Sequence, residues 1–291
     1  MKLTLLSHEE QKLSVILRGL TLLYIVYRSY SHQSLTNSGL IVAFLTGLIH
    51  SLPPSNLPLI LIVTFFITST IATKYKDEIK SKKTKLITTE SSNKATKRTH
   101  VQVLCNSAVG SLLILISIFI PDNSYIYNLL TVGIITQYTC VIADTWSSEL
   151  GILSTSNPYL ITTFKQVPPG TNGGVSKAGL LAGFIGSFVI SLISVICLNV
   201  ETKLLHLIYF TVIGFIGTLI DSLLGSLFQC SVVGKEGLVL ESTGGQQIEY
   251  MEIKEEIKVV AGLDVMSNNG VNFVTGVLTV LLGIGCYDLF F

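Results

Sequence analysis

Long apolar segments recur along the whole 291-residue chain, and they constrain its fold more than any other feature. Apolar residues make up 49% of the sequence and charged residues only 13%, against roughly 25% in soluble domains. About 20 apolar residues cross the hydrocarbon core of a bilayer as one helix. We therefore predict an all-α fold, a polytopic bundle of about eight membrane-spanning helices (seven to nine), forming a single integral-membrane domain over residues 1–291.

The predicted spans follow the apolar runs at residues 13–27, 40–52, 57–73, 101–120, 125–144, 177–200, 204–229 and 271–291. The first span is the weakest because Arg18 lies within it, and a central arginine costs roughly 2.5–3.5 kcal/mol on insertion scales. We expect that helix to be short, tilted or packed with Arg18 facing protein. Pro53-Pro54 separates the second span from the third.

Two polar segments interrupt the apolar pattern. Residues 74–99 are rich in lysine and predict a surface loop or a helical extension followed by a flexible stretch. Residues 230–268 form the second segment. It begins with two short β-branched runs on either side of Gly-Lys-Glu-Gly, which predicts a small β-hairpin.

The distribution of basic residues predicts an orientation. If the 74–99 loop is cytoplasmic, then fifteen of the 19 Lys and Arg residues lie in cytoplasmic connections, and the connections on the far side contain only Lys203. This agrees with the positive-inside rule. We expect the polar loops to be cytoplasmic and the protein to lie in an endomembrane, with the endoplasmic reticulum favoured. The N-terminal sequence MKLTLLSHEEQK predicts no cleaved signal, and no transit peptide is recognisable.

Charge and cysteine content argue against two other classes of protein. The net charge of +1 gives no basic face for nucleic acid. The five cysteines are scattered, mostly within apolar runs, and have no metal-ligand spacing. We therefore interpret them as small buried hydrophobic residues and expect neither disulfides nor a zinc site.

The segment from Val141 to Gly174 carries the most unusual polar residues. Asp144 and Glu149 are five residues apart, which places them roughly 140° apart on an unbroken helix. We predict that the helix ends near Trp146, with Asp144 just inside the membrane boundary and Glu149 at the start of a surface loop. The alternative is an ordinary interfacial helix end with solvated acids.

Polar side chains also form stripes in other spans. Arg98, Gln102 and Asn106 recur every four residues at the start of the fourth span. In the seventh span, small and polar residues form one face with Asp221 at its centre: Gly214, Gly217, Asp221, Gly225 and Gln229. Glycines there let a second helix approach closely. Each polar residue alone can be a simple hydrogen-bonding contact between helices, but together they indicate a functional surface.

These residue types suit a phosphate-bearing substrate with Mg²⁺. We expect Asp144 and Asp221 to hold the metal, with Glu149 as a further candidate catalytic residue. The candidate phosphate-binding residues are Lys74, Arg98, Gln102, Asn106, Lys165, Gly170, Thr171, Gly173, Gly174, Gln229, Asn269 and Asn272. The turn from Gly170 to Gly174 directly precedes a span, so its N–H groups and the helix dipole favour an anion. It lacks P-loop spacing, and it can equally be a turn that caps a helix.

Four motifs, in this order, resemble those of the integral-membrane family that contains transmembrane protein 19: ADTWSSELG (143–151), VPPGTNGGVS (167–176), IDSLLGSLFQ (220–229) and NNGVN (268–272). The resemblance covers roughly residues 13–291. That family includes a plant chloroplast phytyl-phosphate kinase. The resemblance implies a membrane-embedded phosphotransferase that acts on an isoprenoid monophosphate, with CTP or another nucleoside triphosphate as the donor.

Two other functions stay open at the level of sequence. A transporter or flippase for a small anionic or lipid substrate would use the Pro-Gly interruption as a broken helix, with Asp144-Thr145 and Asp221-Ser222 as remnants of two repeats. A non-enzymatic membrane protein is the third possibility. The sequence does not indicate an oligomeric state.

Overall fold

The computed structural model describes residues 8–86, 97–234, 239–241 and 258–291. In these ranges the helices are α1 His8–Ser31, α2 Asn37–Ser51, α3 Leu57–Lys74, α4 Asp77–Lys80, α5 His100–Ser117, α6 Tyr125–Gly151, α7 Lys177–Cys197, α8 Lys203–Phe228 and α9 Asn268–Tyr287. Apart from the short α4, each helix coincides with one predicted span. The predicted all-α, polytopic membrane architecture is confirmed.

Within the described ranges, six helices are long and apolar enough to cross a membrane: α3, α5, α6, α7, α8 and α9. Helix α2 is apolar but has only 15 residues. Helix α1 is longer but is interrupted by charged residues, Arg18 among them. The first two of the eight predicted spans therefore form helices without meeting the length and composition of a full membrane crossing.

Arg18 shows how α1 attaches to the bundle. Its guanidinium group donates to the backbone carbonyls of Ser51 and Pro53, both at 2.7 Å, and of Pro54 at 2.6 Å. It also donates to Asn56 Oδ1 at 2.7 Å. The charge thus faces protein, as expected. It satisfies carbonyl groups where α2 ends, which is the favourable position for a cation.

Helix α6 is the centre of the bundle and the most deeply buried of the six candidate spans. It contacts α3, α5, α7, α8 and α9. Its residues Ile135, Tyr138 and Ile142 are fully buried in the hydrophobic core, together with Ile190 of α7 and Phe210 of α8. Many large apolar side chains are instead exposed on the outside of the bundle, where lipid would cover them.

The prediction that the helix ends near Trp146 is wrong, because α6 continues to Gly151. Its last turn packs closely on α7: a Cβ atom added to Gly151 would lie 2.9 Å from the Cα atom of Gly179. Glu149, predicted to begin a loop, is helical and hydrogen-bonded to neighbouring elements. Polar residues after Asp144 continue the helix because protein groups satisfy them.

The strands are short and lie in the polar connections. Strands β1 Thr84–Leu86, β4 Ser231–Val233, β5 Val239–Glu241 and β6 Lys258–Ala261 form one sheet in the order β1-β5-β4-β6, and β2 Tyr159–Leu160 pairs with β3 Gly174–Val175. Strands β4 and β5 are antiparallel, with Ser231 opposite Glu241, as predicted for a hairpin. The residues of its turn, 235–238, lie outside the described ranges. Parallel pairing of β1 with β5 joins the two polar segments.

We call the end of the bundle that carries the connections after α1, α3, α6 and α8 the polar-loop end. Contacts of Glu149 with Thr73, of Gly151 with Gly179 and of Gln229 with Asn268 link these connections. At the opposite, far end, α1 meets the α2–α3 turn through Arg18. The predicted site residues therefore share one end of the molecule.

Candidate functional site

Asp144 and Asp221 meet between α6 and α8 near the polar-loop end. Their carboxylates lie beside each other, and Thr218 of α8 is next to Asp144. Thr275 of α9 donates its hydroxyl hydrogen to Asp221 Oδ2 at 3.0 Å. Both aspartates are half-buried. Three helices thus hold this carboxylate pair, which is the name we use for Asp144 and Asp221 below.

Small residues bring the two helices close enough for this contact. A Cβ atom added to Gly217 would lie 2.6 Å from Cys140 Sγ and 3.0 Å from Cγ2 of Thr279. One added to Gly214 would lie 2.5 Å from Cβ of Thr139. The predicted small-residue face of α8 is therefore a close helix contact, which places Asp221 against α6.

The carboxylate pair has no compensating basic group, since neither aspartate forms an ion pair with a lysine or arginine in the described ranges. Two facing carboxylates repel each other unless a proton or a cation lies between them. Magnesium commonly takes one or two protein carboxylates and completes its shell with water and substrate oxygens. The donor set therefore fits Mg²⁺, although no group of three or more His, Cys, Asp or Glu residues occurs among the described side chains.

The glycine-rich turn lies against α8, one helical turn beyond Asp221. Gly170 and Gly173 have positive φ angles of 91° and 73°, a conformation that favours glycine. A Cβ atom added to Gly173 would lie 2.5 Å from the carbonyl oxygen of Ser222. Thr171 is buried and donates its hydroxyl hydrogen to the Pro168 carbonyl at 2.8 Å. The turn is thus held close to the carboxylate pair.

Helix α7 begins directly after this turn, as the sequence predicts. Ser176 is the N-cap, and its hydroxyl accepts a hydrogen bond from Gly179 N at 3.1 Å. Gly174 lies in β3 and donates its N–H to the Thr171 carbonyl at 2.9 Å. The positive end of the α7 dipole therefore lies beside the turn.

Glu149 lies on a different side of α6, as the roughly 140° separation requires. Its Oε1 accepts from Thr73 Oγ1 at 2.7 Å and its Oε2 from Lys80 Nζ at 2.7 Å. Arg98 also donates to Thr73 Oγ1, at 3.0 Å. Burial lowers the pKa of Arg98, and the charge of Glu149 acts in the opposite direction. We call Glu149, Thr73, Lys80 and Arg98 the Glu149 cluster.

Four predicted phosphate-binding residues are engaged away from the carboxylate pair. The ammonium group of Lys74 donates to the His32 carbonyl at 3.3 Å, and Lys165 is exposed. Gln102 caps α5 by accepting from Thr99 N at 2.9 Å. Asn106 accepts from Gln137 Nε2 through its backbone carbonyl at 3.0 Å. Gln102 therefore has an evident structural role, whereas the contact of Asn106 involves only its backbone.

The amides near the start of α9 lie closer to the pair. Gln229 is buried, and its Nε2 donates to Asn268 Oδ1 at 3.4 Å. Asn272 is one helical turn before Thr275, so the two share a face of α9. Its Oδ1 is buried and has no partner in the described part of the chain. Asn269 is half-buried.

Sequence reasoning missed Lys80, Thr218 and Thr275. Thr275 follows Asn268 and Asn272 at helical spacing, so extending that stripe by one turn would have found it. Lys80 gave no such signal because it is one of several lysines in a polar segment. In the structure its side chain is only 9% exposed, and it also donates to the carbonyls of Ala72 and Thr73.

Two small cavities in the described ranges lie away from the carboxylate pair. One lies between α1 and α3 beside Arg28 and Thr70, and the other lies at the far end beside Pro53 and Tyr127.

The family model described as "Integral membrane protein DUF92" matches residues 20–280. This chain belongs to that family. The resemblance seen in the four motifs is thereby confirmed. No solved structure matches the chain.

Relatives of this DUF92 protein come from plants and archaea. Protein PGR of Arabidopsis thaliana is 38% identical over 284 residues, which cover 89% of this chain and 91% of the relative. An uncharacterised membrane protein of Methanocaldococcus jannaschii is 34% identical over 59% of this chain and 65% of its own. Protein VTE6, chloroplastic, of A. thaliana is 31% identical over 54% of this chain and 46% of its own.

Proposed function

We propose that this DUF92 protein is a membrane-embedded phosphotransferase that adds a phosphate to an isoprenoid monophosphate. The observation that carries the proposal is the carboxylate pair, which α6, α8 and α9 hold near the polar-loop end without a basic partner in the described ranges. The motif resemblance supports the substrate class, because it implies phytyl-phosphate kinase activity in a plant relative. The glycine-rich turn on α8 supports an anionic ligand at the same place.

In this proposal Asp144 and Asp221 hold Mg²⁺, which neutralises charge on the transferring phosphoryl group when bound. The hydroxyl of Thr275 orients Asp221. The turn from Gly170 to Gly174 and the start of α7 contact phosphate oxygens. Buried carboxylates are costly without a counter-charge, so the cation also relieves their repulsion.

The proposed reaction needs no general base. An oxygen of the isoprenoid monophosphate attacks the γ-phosphorus of a nucleoside triphosphate such as CTP, and the bond from that phosphorus to the β–γ bridging oxygen breaks. The nucleoside diphosphate leaves with the bonding electron pair. Because the second pKa of a phosphate monoester is about 6, the attacking oxygen is already ionised at neutral pH. Glu149, whose charge is paired with Lys80, is therefore not needed as a base in this reaction.

The isoprenoid chain would lie among the apolar helices, with its phosphate at the polar-loop end and the nucleotide arriving from that side. We propose that this side is cytoplasmic, in an endomembrane such as the endoplasmic reticulum, because fifteen of the 19 basic residues lie there. An N-glycosylation acceptor inserted near residue 85 should stay unmodified, whereas one near residue 122 should be glycosylated. The reverse pattern would overturn this orientation.

The central test is an assay of purified protein with isoprenoid monophosphates of several chain lengths, labelled CTP, ATP, GTP or UTP, and Mg²⁺. We expect metal-dependent formation of the diphosphate by the wild type and by neither Asp144→Asn nor Asp221→Asn. Absence of product with every pair of substrates, in protein shown to be folded, would refute the phosphotransferase and favour transport. Uptake of the same phosphates into proteoliposomes would then be measured.

A further inference from the structure

Helices α6 to α9 contain two similar helix–connection–helix units in sequence. The first unit is α6–α7 and the second is α8–α9. Asp144-Thr145 in α6 corresponds to Asp221-Ser222 in α8, 77 positions later. The hexapeptide TNGGVS (171–176) corresponds to SNNGVN (267–272), 96 positions later, and each leads into the second helix of its unit.

Contacts between α6 and α8 obey the two-fold symmetry that such a duplication predicts. Residues at equivalent positions can meet each other only at a two-fold axis. Asp144 meets Asp221, its equivalent. Cys140 meets its equivalent Gly217, where an added Cβ atom would lie 2.6 Å from the cysteine sulfur. Because α6 and α8 run in the same direction, the pseudo-two-fold axis passes between them, along the bundle.

The outer helices follow the same symmetry, each packing on the first helix of the other unit. Ser187 of α7 donates to the Thr211 carbonyl of α8 at 2.8 Å. Its equivalent in α9, Gly283, would place an added Cβ atom 2.6 Å from Thr136 Oγ1 of α6. The position in α6 equivalent to Thr211 is 134, two residues from Thr136. The two crossed contacts are therefore of the same kind but are offset by two positions along α6.

A second crossed contact agrees to within one position. A Cβ atom added to Gly183 of α7 would lie 3.4 Å from Cγ2 of Thr218 in α8. Its equivalent in α9, Thr279, accepts a hydrogen bond from Cys140 Sγ in α6 at 3.4 Å. The position in α6 equivalent to Thr218 is 141, the residue after Cys140.

Each unit also contributes a buried amide atom that has no partner in the described ranges, Nδ2 of Asn172 in the first and Oδ1 of Asn272 in the second. The two amides are not equivalent positions, because the motif alignment pairs Asn172 with Asn268 and Asn272 with Ser176. Asn172 lies over α8, since a Cβ atom added to Gly225 would lie 3.7 Å from its Cβ, and Gly225 is one turn beyond Asp221. Asn272 is one turn before Thr275, which bonds to Asp221. Both amides therefore flank the carboxylate pair, one from each unit.

We propose that the two units bind two phosphate groups, one at Asn172 and one at Asn272, on either side of the carboxylate pair. This inference rests on the proposed phosphotransferase, in which both the donor and the acceptor carry a phosphate. Each amide lies about one helical turn from Asp221 or from its partner Thr275, so a cation at the carboxylate pair would lie near both anions. An amide can turn to present its N–H₂ group to a phosphate oxygen. When the two phosphates are bound, both amides that lack a protein partner in the described part of the chain would thus have one in a phosphate oxygen.

The experiment counts bound phosphate and does not require turnover. Equilibrium dialysis of the purified full-length protein with ³²P-labelled orthophosphate and Mg²⁺ should give two sites for the wild type. Asn172→Ala and Asn272→Ala should each lose one site, and the double variant should lose both. Asn128→Ala is the matched control, because its Oδ1 is also buried without a partner in the described ranges but belongs to the start of α6. It should retain both sites.

A kinetic measurement assigns the two sites. Each asparagine variant should raise the KM of a different substrate by about tenfold, with kcat changed less than about threefold. Asn172→Asp and Asn272→Asp keep the side-chain shape and repel phosphate, so they replace any alanine variant that does not fold. A single phosphate site, or both variants raising the same KM, would overturn the inference while leaving the phosphotransferase intact. Two sites in a protein without transfer activity would support the duplicated sites and refute the enzyme.

Discussion

The two sides of α6 hold carboxylates in opposite electrostatic states. On one side, Glu149 accepts hydrogen bonds from Thr73 and Lys80, both at 2.7 Å, so its charge is compensated. On the other side, Asp144 faces a second carboxylate, and neither has a basic partner in the described ranges. A compensated buried charge needs nothing further, whereas an uncompensated pair requires a proton or a cation. The comparison separates a structural carboxylate from two that indicate function.

The largest expected effect comes from removing either charge of the pair. Asp144→Asn or Asp221→Asn should lower transfer by about 1,000-fold or more, because metal and basic groups supply most of the stabilisation of a transferring phosphoryl group. Their melting temperatures in detergent should stay near that of the wild type. Glu149→Gln, the control on the other side of α6, should retain most of the activity. If Glu149→Gln lost as much transfer activity as the two aspartate variants, the distinction between a structural Glu149 and a functional carboxylate pair would be wrong.

Close packing at Gly217 should be the next most sensitive feature. Gly217→Leu should destabilise the protein by about 1–3 kcal/mol or more, because overpacking a tight contact forces helices apart. Gly285→Leu in α9 is the control, since a Cβ atom added there meets nothing within 4 Å. Thermal unfolding in detergent measures both. If Gly217→Leu is as stable as Gly285→Leu, close packing does not hold the carboxylate pair together.

Breaking the ion pair between Glu149 and Lys80 should reduce stability without abolishing phosphate transfer. Lys80→Met leaves Glu149 without its ammonium partner, and we expect a loss of about 1–3 kcal/mol, because the side chain of Glu149 is 25% exposed and solvent reduces the cost. The double variant Lys80→Met, Glu149→Gln should recover part of the loss. Lys82→Met, at an exposed position, is the control. A loss of turnover in folded Lys80→Met protein would place the cluster in the active site.

The smallest effects should come from the two basic residues predicted to neutralise phosphate. Arg98→Ala should raise the KM of the phosphate substrates by at most about tenfold, because its guanidinium group already donates to Thr73 in the Glu149 cluster and only its remaining N–H groups can bind phosphate oxygens. Lys74→Ala should raise it by less, since that ammonium group bonds to the His32 carbonyl in an exposed position. Arg98→Lys should lie between them. A larger effect at Lys74 than at Arg98 would show that phosphate approaches from the other side of α3.

Sequence patterns predicted the parts of the site that depend on one helix. The stripe Gly214, Gly217 and Asp221 follows from helical periodicity, and the structure shows it as a close contact. The angular separation of Asp144 and Glu149 was correct, although the predicted helix end between them was wrong. Hydropathy alone does not distinguish a helix that enters a solvated loop from one whose polar residues find protein partners.

Contiguous residues were enough to predict the six spans that the described part of the chain supports, the family motifs and the β4–β5 pairing, because hydropathy, turn composition and motif order are local properties of a chain. Tertiary packing sets the direct contact of Asp144 with Asp221, gives Glu149 Lys80 as its partner instead of solvent, and directs Lys74 to the His32 carbonyl. Those contacts depend on how each helix is rotated and how closely glycine lets it approach its neighbour. Rotation and approach arise from packing among residues far apart in the chain, which no local pattern specifies.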